Sequence, residues 1–133
     1  MPIHLDRLTL QAMQPRSRRL WRVAFAALLA FVSYQAISTS SGSPSFEHMD
    51  KALHVSAFAC LACVASWSWP PSRQAGWSIA LGLTAYGVFI ELVQLQLPWR
   101  EASVADVVAD VAGLALGLAL AHRARARWAK PDR

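Results

Sequence analysis

The sequence predicts an all-α fold: a small polytopic membrane protein whose four transmembrane helices form an antiparallel bundle. Its 133 residues are 55% hydrophobic and only 16% charged, whereas a soluble domain usually carries about a quarter charged residues. The apolar residues also fall into four runs, each about long enough to cross ~30 Å of hydrocarbon. A third observation, the placement of the basic residues, predicts how the bundle is oriented.

Each apolar run predicts one helix, and most of the runs have a recognisable end. Pro70 and Pro71 end the second run and Pro98 ends the third, because proline cannot continue a helix. Ser103, followed three residues later by Asp106, resembles a capping box at the start of the fourth helix. The predicted helices cover residues 20–37, 51–69, 75–97 and 103–121, between basic tails at 1–19 and 122–133.

The basic residues predict the orientation of the bundle. Eleven of the 13 Lys and Arg residues lie before residue 23, after residue 122 or in the short turn that contains Arg73. Lys51 and Arg100 belong to the other two loops. Since loops rich in Lys and Arg stay in the cytoplasm, we expect a multi-pass protein of the cell inner membrane with both termini cytoplasmic. The same distribution accounts for the net charge of +5, so nucleic acid is not an expected partner.

The first apolar run has a second interpretation, as the core of a signal peptide. It follows a basic segment, and a cleavage site could lie near Ala36. Cleavage would remove one helix without changing the orientation of the other three. The sequence leaves open whether this helix is retained.

The two cysteines, Cys60 and Cys63, have the C-x-x-C spacing of some redox and zinc sites. Three residues apart on a helix they have a poor geometry for a disulfide, and no second pair completes a zinc site. We interpret them as small packing residues.

Ionisable and amide side chains interrupt three apolar runs at the end of the bundle that the orientation places outside. Antiparallel spans bring the start of the second run, the end of the third and the start of the fourth to one level. Glu91 and Asp110 should lie roughly 9–10 Å from their helix ends, so we expect both to meet His54. The candidate ligand-binding residues are Asp50, Lys51, His54, Glu91, Gln94, Arg100, Asp106 and Asp110.

The fourth helix carries its polar groups on one face. Asp106 and Asp110 are followed on that face by Gly113 and Gly117, since residues three or four apart lie together on a helix. A G-x-x-x-G spacing is typical of closely packed membrane helices. A carboxylate facing lipid costs a few kcal/mol, so we expect this face to contact another helix.

These motifs resemble those of the VanZ-like integral membrane proteins, a family named for an accessory protein of glycopeptide (teicoplanin) resistance. The resemblance covers about residues 20–120 and implies a role in the cell envelope, without specifying a reaction. The matching motifs, in chain order, are D-K-x-x-H at Asp50, Lys51 and His54, E-x-x-Q at Glu91 and Gln94, Arg100 after a proline, and D-x-x-x-N-x-x-G-x-x-x-G from Asp106 to Gly117.

One position departs from the family pattern. Asp110 stands where the family commonly has Asn, which adds a second carboxylate beside Asp106. Either Asp110 is protonated, or Arg100 or Lys51 neutralises it. A role that needs a neutral amide at this position is therefore in doubt.

Three functions remain open for the cluster, besides a purely structural role that fixes the order of the helices. In the first, Arg100 and Lys51 contact the phosphate of an anionic or lipid-linked envelope component at the outer leaflet. The expected partners are then membrane lipids and a lipid-linked cell-wall precursor. Formation of a homo-oligomer stays open.

In the second function the protein is an intramembrane enzyme. The candidate catalytic residues are His54 as general base, Asp50 or Asp110 as the group that orients it, and Glu91 as acid. In the third, His54, Glu91, Asp106 and Asp110 hold zinc or manganese. Two flanking basic residues argue against an ion, so the sequence favours a protein without a metal or other cofactor.

Overall fold

The described residues, 15–38, 47–100 and 102–128, form four helices in the computed structural model of the protein, and none of them lies in a strand. Each helix contains a segment of at least 20 residues that is long and apolar enough to cross a membrane. The predicted four-helix membrane fold is therefore confirmed. The helices are α1 (Pro15–Ile37), α2 (Glu47–Ser68), α3 (Arg73–Gln94) and α4 (Val104–Trp128).

Contacts at both ends show that successive helices run in opposite directions. The start of α1 meets the end of α2, where Trp21 stacks on Trp67 with ring centroids 6.3 Å apart. The end of α1 meets the end of α3, where Gln94 Nε2 donates a hydrogen bond to the carbonyl of Ala36 at 3.1 Å. The bundle is therefore antiparallel, with the starts of α2 and α4 at the same end as Gln94.

The first and last helices of the chain, α1 and α4, extend past their apolar runs. α1 begins at Pro15 and α4 continues to Trp128, whereas the apolar runs predict a start at residue 20 and an end at residue 121. Proline suits the first position of a helix, and Arg and Ala are strong helix formers, so a helix need not end where hydrophobicity ends. Residues 1–14 and 129–133 of the predicted basic tails lie outside the described residues.

The second and third helices, α2 and α3, also differ from their apolar runs, at the end that carries the polar groups. α2 begins at Glu47 rather than near residue 51, and α3 ends at Gln94, three residues before Leu97. A turn follows α3, in which the amide of Leu97 donates to the carbonyl of Gln94 at 3.0 Å. The residue before a proline disfavours the helical conformation, and Pro98 therefore ends α3 early. Glu91 consequently lies closer to its helix end than the sequence predicts.

α2 and α4 share the most extensive interface of the bundle. A Cβ built at Gly113 would overlap the backbone carbonyl of Val55, and one built at Gly117 would overlap that of Ala59. Cys63 Sγ donates to the carbonyl of Gly117 at 3.2 Å across the same interface. The G-x-x-x-G spacing therefore brings two backbones into contact, as expected. Cys63 is a free thiol, as is Cys60.

The buried apolar core lies between α2, α3 and α4, and α1 packs on its outside. No residue in the spanning segment of α1 is buried. Ser33 Oγ and Tyr86 Oη lie 2.7 Å apart, and Tyr86 also donates to the carbonyl of Leu29 at 3.3 Å. These bonds connect α1 to α3. The buried core consists of Phe58, Leu61, Ala62, Leu83 and Leu114.

Arginine and tryptophan side chains cluster at the end formed by the starts of α1 and α3 and the ends of α2 and α4, which we call the basic end. The Arg22 guanidinium lies 5.8 Å from the ring centroid of Trp69, and that of Arg125 lies 4.9 Å from the ring of Trp67. Arg125 also donates to the carbonyl of Ser66. These contacts keep the cationic groups at the level where α2 ends.

Candidate functional site

The centre of the polar cluster is a contact between α2 and α4. His54 Nδ1 and Asp110 Oδ1 lie 2.8 Å apart, within hydrogen-bond distance. The Asp110 side chain is only 2% exposed, whereas that of His54 is 16% exposed. We call this end of the molecule, which comprises the ends of α1 and α3 and the starts of α2 and α4, the acidic end. The His54 ring is thus held by a buried carboxylate and remains partly exposed at the surface of the protein.

Asp110 lies against a glycine of α3. A Cβ built at Gly87 would be 2.7 Å from Asp110 Oδ2 and 3.2 Å from Cζ of Phe58. A side chain at this position would force the Asp110 carboxylate to move. Gly87 is not among the residues that the sequence singles out, although its position four residues before Glu91 places it on the same face of α3.

Glu91 connects α3 to the start of α4. Its Oε2 accepts a hydrogen bond from the backbone amide of Ser103 at 2.9 Å. Ser103 Oγ in turn accepts from the amide of Ala105 at 3.1 Å. In the predicted capping box the side chain of Asp106 would accept from the Ser103 amide. That part of the prediction is wrong, because the acid comes from the neighbouring helix.

Two groups of three acidic or imidazole side chains surround His54. In the inner triad, His54, Glu91 and Asp110 each offer an atom within 4.8 Å of the other two. The outer triad, with the same spacing, consists of Asp50, His54 and Asp106. The structure therefore brings together five of the eight residues that the sequence singles out, and His54 belongs to both groups.

Asp106 is buried in the first turn of α4. A carboxylate there interacts favourably with the positive end of the helix dipole. The charges of Asp50 and Lys51, which are partly exposed at the start of α2, both act on Asp106. Lys51 thus belongs to the outer part of the cluster.

Arg100 and Gln94 contact the end of α1. The Arg100 Nη2 atom donates to the carbonyls of Gln35 and Ser38, the latter at 2.9 Å. The last carbonyls of a helix lack partners within the helix, and a cation there is favourable. Gln94 donates to α1 in the same way, through Ala36. The hydrogen-bond partner of Asp110 is His54, whereas Arg100 is bonded to α1, so the expectation that Arg100 neutralises Asp110 is not met.

Three buried side-chain atoms of the described residues lack a hydrogen-bond partner, and all three lie at the acidic end. They are Glu91 Oε1, Asp110 Oδ2 and Arg100 Nε. Buried polar groups are nearly always hydrogen-bonded, so each exception calls for an explanation. The acidic end therefore has an unused capacity to interact with a ligand.

The comparison with known proteins identifies the family. The profile of the VanZ/LLP1 family matches residues 7–125. The chain belongs to the VanZ/LLP1 family. No curated protein and no solved structure matches the chain. The family that the motifs indicate is thereby confirmed, and the matched segment of this VanZ/LLP1 protein includes the whole polar cluster.

Proposed function

We propose that this VanZ/LLP1 protein engages an anionic or lipid-linked envelope component at the outer leaflet, through the acidic end of its bundle. The observation that carries the proposal is the meeting of ionisable side chains from three helices at one end of an apolar membrane bundle, with His54 partly exposed above a buried Asp110. Ionisable groups within membrane helices are costly and usually functional.

The orientation supports an outward-facing acidic end. Arg22 and Arg125 lie on tryptophan rings at the basic end, and positively charged ends of membrane proteins remain in the cytoplasm. Tryptophan rings favour the membrane–water interface. Both termini are then cytoplasmic, in the cell inner membrane, and the cluster faces the outer leaflet.

The cationic groups of the acidic end suit a phosphate. Arg100 is partly exposed, and its Nη2 atom is fixed by two carbonyls of α1. A guanidinium has five N–H donors in a planar fork, so donors remain for phosphate oxygens after these bonds are made. Lys51 lies at the start of α2 at the same end. A guanidinium held in place before binding loses little conformational entropy when a head group arrives.

The proposal is tested by an envelope phenotype in cells, such as teicoplanin susceptibility, with Arg100→Ala compared with Arg73→Ala. Arg73 is the matched control, because it is an exposed arginine at the start of α3, on the opposite end of the bundle. We expect Arg100→Ala to abolish the phenotype at a normal membrane level of protein, and Arg73→Ala to retain it. Full activity of both Arg100→Ala and His54→Ala would contradict the proposal.

A second candidate function, an intramembrane enzyme, is favoured by the 2.8 Å contact between His54 and Asp110. A carboxylate bonded to one ring nitrogen orients an imidazole to act as a base through the other. A protonated Glu91 would serve as the acid. Purified protein incubated with a lipid-linked precursor should then release a product detectable by mass spectrometry. His54→Gln should abolish that product, whereas head-group binding alone yields no product.

A further inference from the structure

We propose that the inner triad, His54, Glu91 and Asp110, binds a divalent first-row transition-metal ion such as Zn²⁺ or Mn²⁺. This inference goes beyond the proposed function and does not rest on it. It concerns the inner triad, whereas the proposed function places the contacts with phosphate on Arg100 and Lys51.

The donor set and its spacing fit such an ion. One imidazole nitrogen and two carboxylate oxygens are ligands that zinc and manganese accept. The three donor atoms lie within 4.8 Å of one another. Two ligands that each lie about 2.1 Å from a tetrahedral ion are about 3.4 Å apart, so donor atoms at the 4.8 Å limit would have to approach each other by about 1.4 Å to bind the same ion.

Two of the unpartnered atoms point independently to a ligand. Glu91 Oε1 and Asp110 Oδ2 are buried without a hydrogen-bond partner among the described residues. Their residues are 6% and 1% exposed, respectively. Each carboxylate uses its other oxygen, Glu91 with the Ser103 amide and Asp110 with His54. A cation between the two carboxylates would satisfy both unpartnered oxygens at once.

Charge balance supports the same conclusion. Two ionised carboxylates buried side by side repel each other, and burial of an unpaired charge is costly. A divalent ion bound to both carboxylates would offset both negative charges.

The basic residues that argue against a metal in the sequence are placed differently in the structure. Arg100 donates to the carbonyls of Gln35 and Ser38 in α1, and its hydrogen-bond partners among the described residues include no acid. The charge of Lys51 acts on Asp106, which belongs to the outer triad. Neither residue is a member of the inner triad.

The outer triad gives an ion a route to the inner one. Asp50 is partly exposed at the start of α2, and together with Asp106 it lies within 4.8 Å of a His54 nitrogen. Carboxylates that lead from the surface to a buried site attract cations to it. The two triads therefore form one acidic path that passes His54.

The inference is tested with the full chain in detergent, without added lipid. The protein is treated with a chelator and then titrated with Mn²⁺ or Zn²⁺. We expect one ion per chain, and electron-spin-echo spectra of the Mn²⁺ form should show coupling to a histidine nitrogen. Glu91→Gln and Asp110→Asn should each weaken binding by roughly tenfold or more. His122→Gln, an exposed histidine at the basic end, is the matched control and should bind as the wild type does. Asp50→Asn in the outer triad is measured beside it.

Three outcomes would overturn the inference: no saturable binding of either ion to the wild-type protein, a bound Mn²⁺ without nitrogen coupling, or binding that depends on Asp50 but not on Glu91 and Asp110. If both inner variants fail to fold, His54→Gln decides the question, because the chain has four histidines and only loss of the nitrogen coupling in this variant assigns the coupled nitrogen to His54. Because no lipid is present, a negative result leaves the proposed head-group function standing, and a positive result does not depend on it.

Discussion

The carboxylate of Glu91, near the end of α3, accepts the hydrogen bond of the Ser103 backbone amide at 2.9 Å, immediately before α4 begins. One acidic side chain of a membrane helix thereby closes the connection that contains Arg100 and fixes the start of α4. Since α4 carries Asp106 and Asp110, the position of the acidic end depends on this bond.

Removal of that acceptor should destabilise the bundle. Glu91→Ala leaves the Ser103 amide without its partner, and a buried unsatisfied donor costs about 1–3 kcal/mol. Glu91→Gln keeps a side-chain carbonyl that can accept the same bond, so its free energy of unfolding should change much less. Reversible unfolding in mixed micelles measures both. Equal losses for the two variants would show that the Ser103 bond is not what Glu91 contributes.

A side chain at Gly117 should destabilise the contact between α2 and α4. A Cβ there would overlap the carbonyl of Ala59 and lie 2.8 Å from Cβ of Ala62. Overpacking of this kind usually costs about 1–3 kcal/mol, so Gly117→Ala should lower the free energy of unfolding by that amount. Gly82→Ala is the matched control, because no atom lies within 4 Å of a Cβ built at Gly82. If the two variants are equally stable, α2 and α4 do not meet at Gly117.

The attachment of α1 should depend on the hydroxyl groups of Ser33 and Tyr86, which lie 2.7 Å apart. Hydrogen bonds between membrane helices contribute about 0.6 kcal/mol on average. Ser33→Ala should lower the free energy of unfolding by about this much, and Tyr86→Phe by more, because Tyr86 also donates to the carbonyl of Leu29. In the double variant the losses should not add, because the first substitution already removes the shared bond. Fully additive losses in this cycle would argue against the contact.

The orientation of the bundle is tested with reporters fused after residue 133. An enzyme reporter that is active only in the cytoplasm should be active there, and one that needs the external side should be inactive. The physical reason is the concentration of Lys and Arg at the basic end and in the tails. The opposite result would place the acidic end in the cytoplasm and remove the outer leaflet from the proposed function.

The meeting of His54, Glu91 and Asp110 could be expected from the sequence, because helical depth can be counted from the prolines that end the apolar runs. Successive antiparallel spans place equal depths side by side. This expectation does not require the exact register of the helices, because a carboxylate in a membrane helix has few favourable places other than beside another polar group.

The partners of Arg100 and Gln94 could not be predicted in this way. Both donate to backbone carbonyls at the end of α1, and every helix has such carbonyls, so the sequence does not single out α1. The close approach of Asp110 to Gly87 could not be predicted for a similar reason. A glycine within an apolar run shows that something approaches closely, but which side chain does so depends on how α3 packs against α4.

The central claim, that the acidic end binds an anionic or lipid-linked component, is tested most directly by native mass spectrometry after mild extraction. The wild-type protein should carry an anionic or lipid-linked species. Arg100→Ala and His54→Ala should lose it, and Arg73→Ala should retain it, because Arg73 lies at the opposite end of the bundle. Wild-type protein without such a species, or equal retention by all three variants, would contradict the claim.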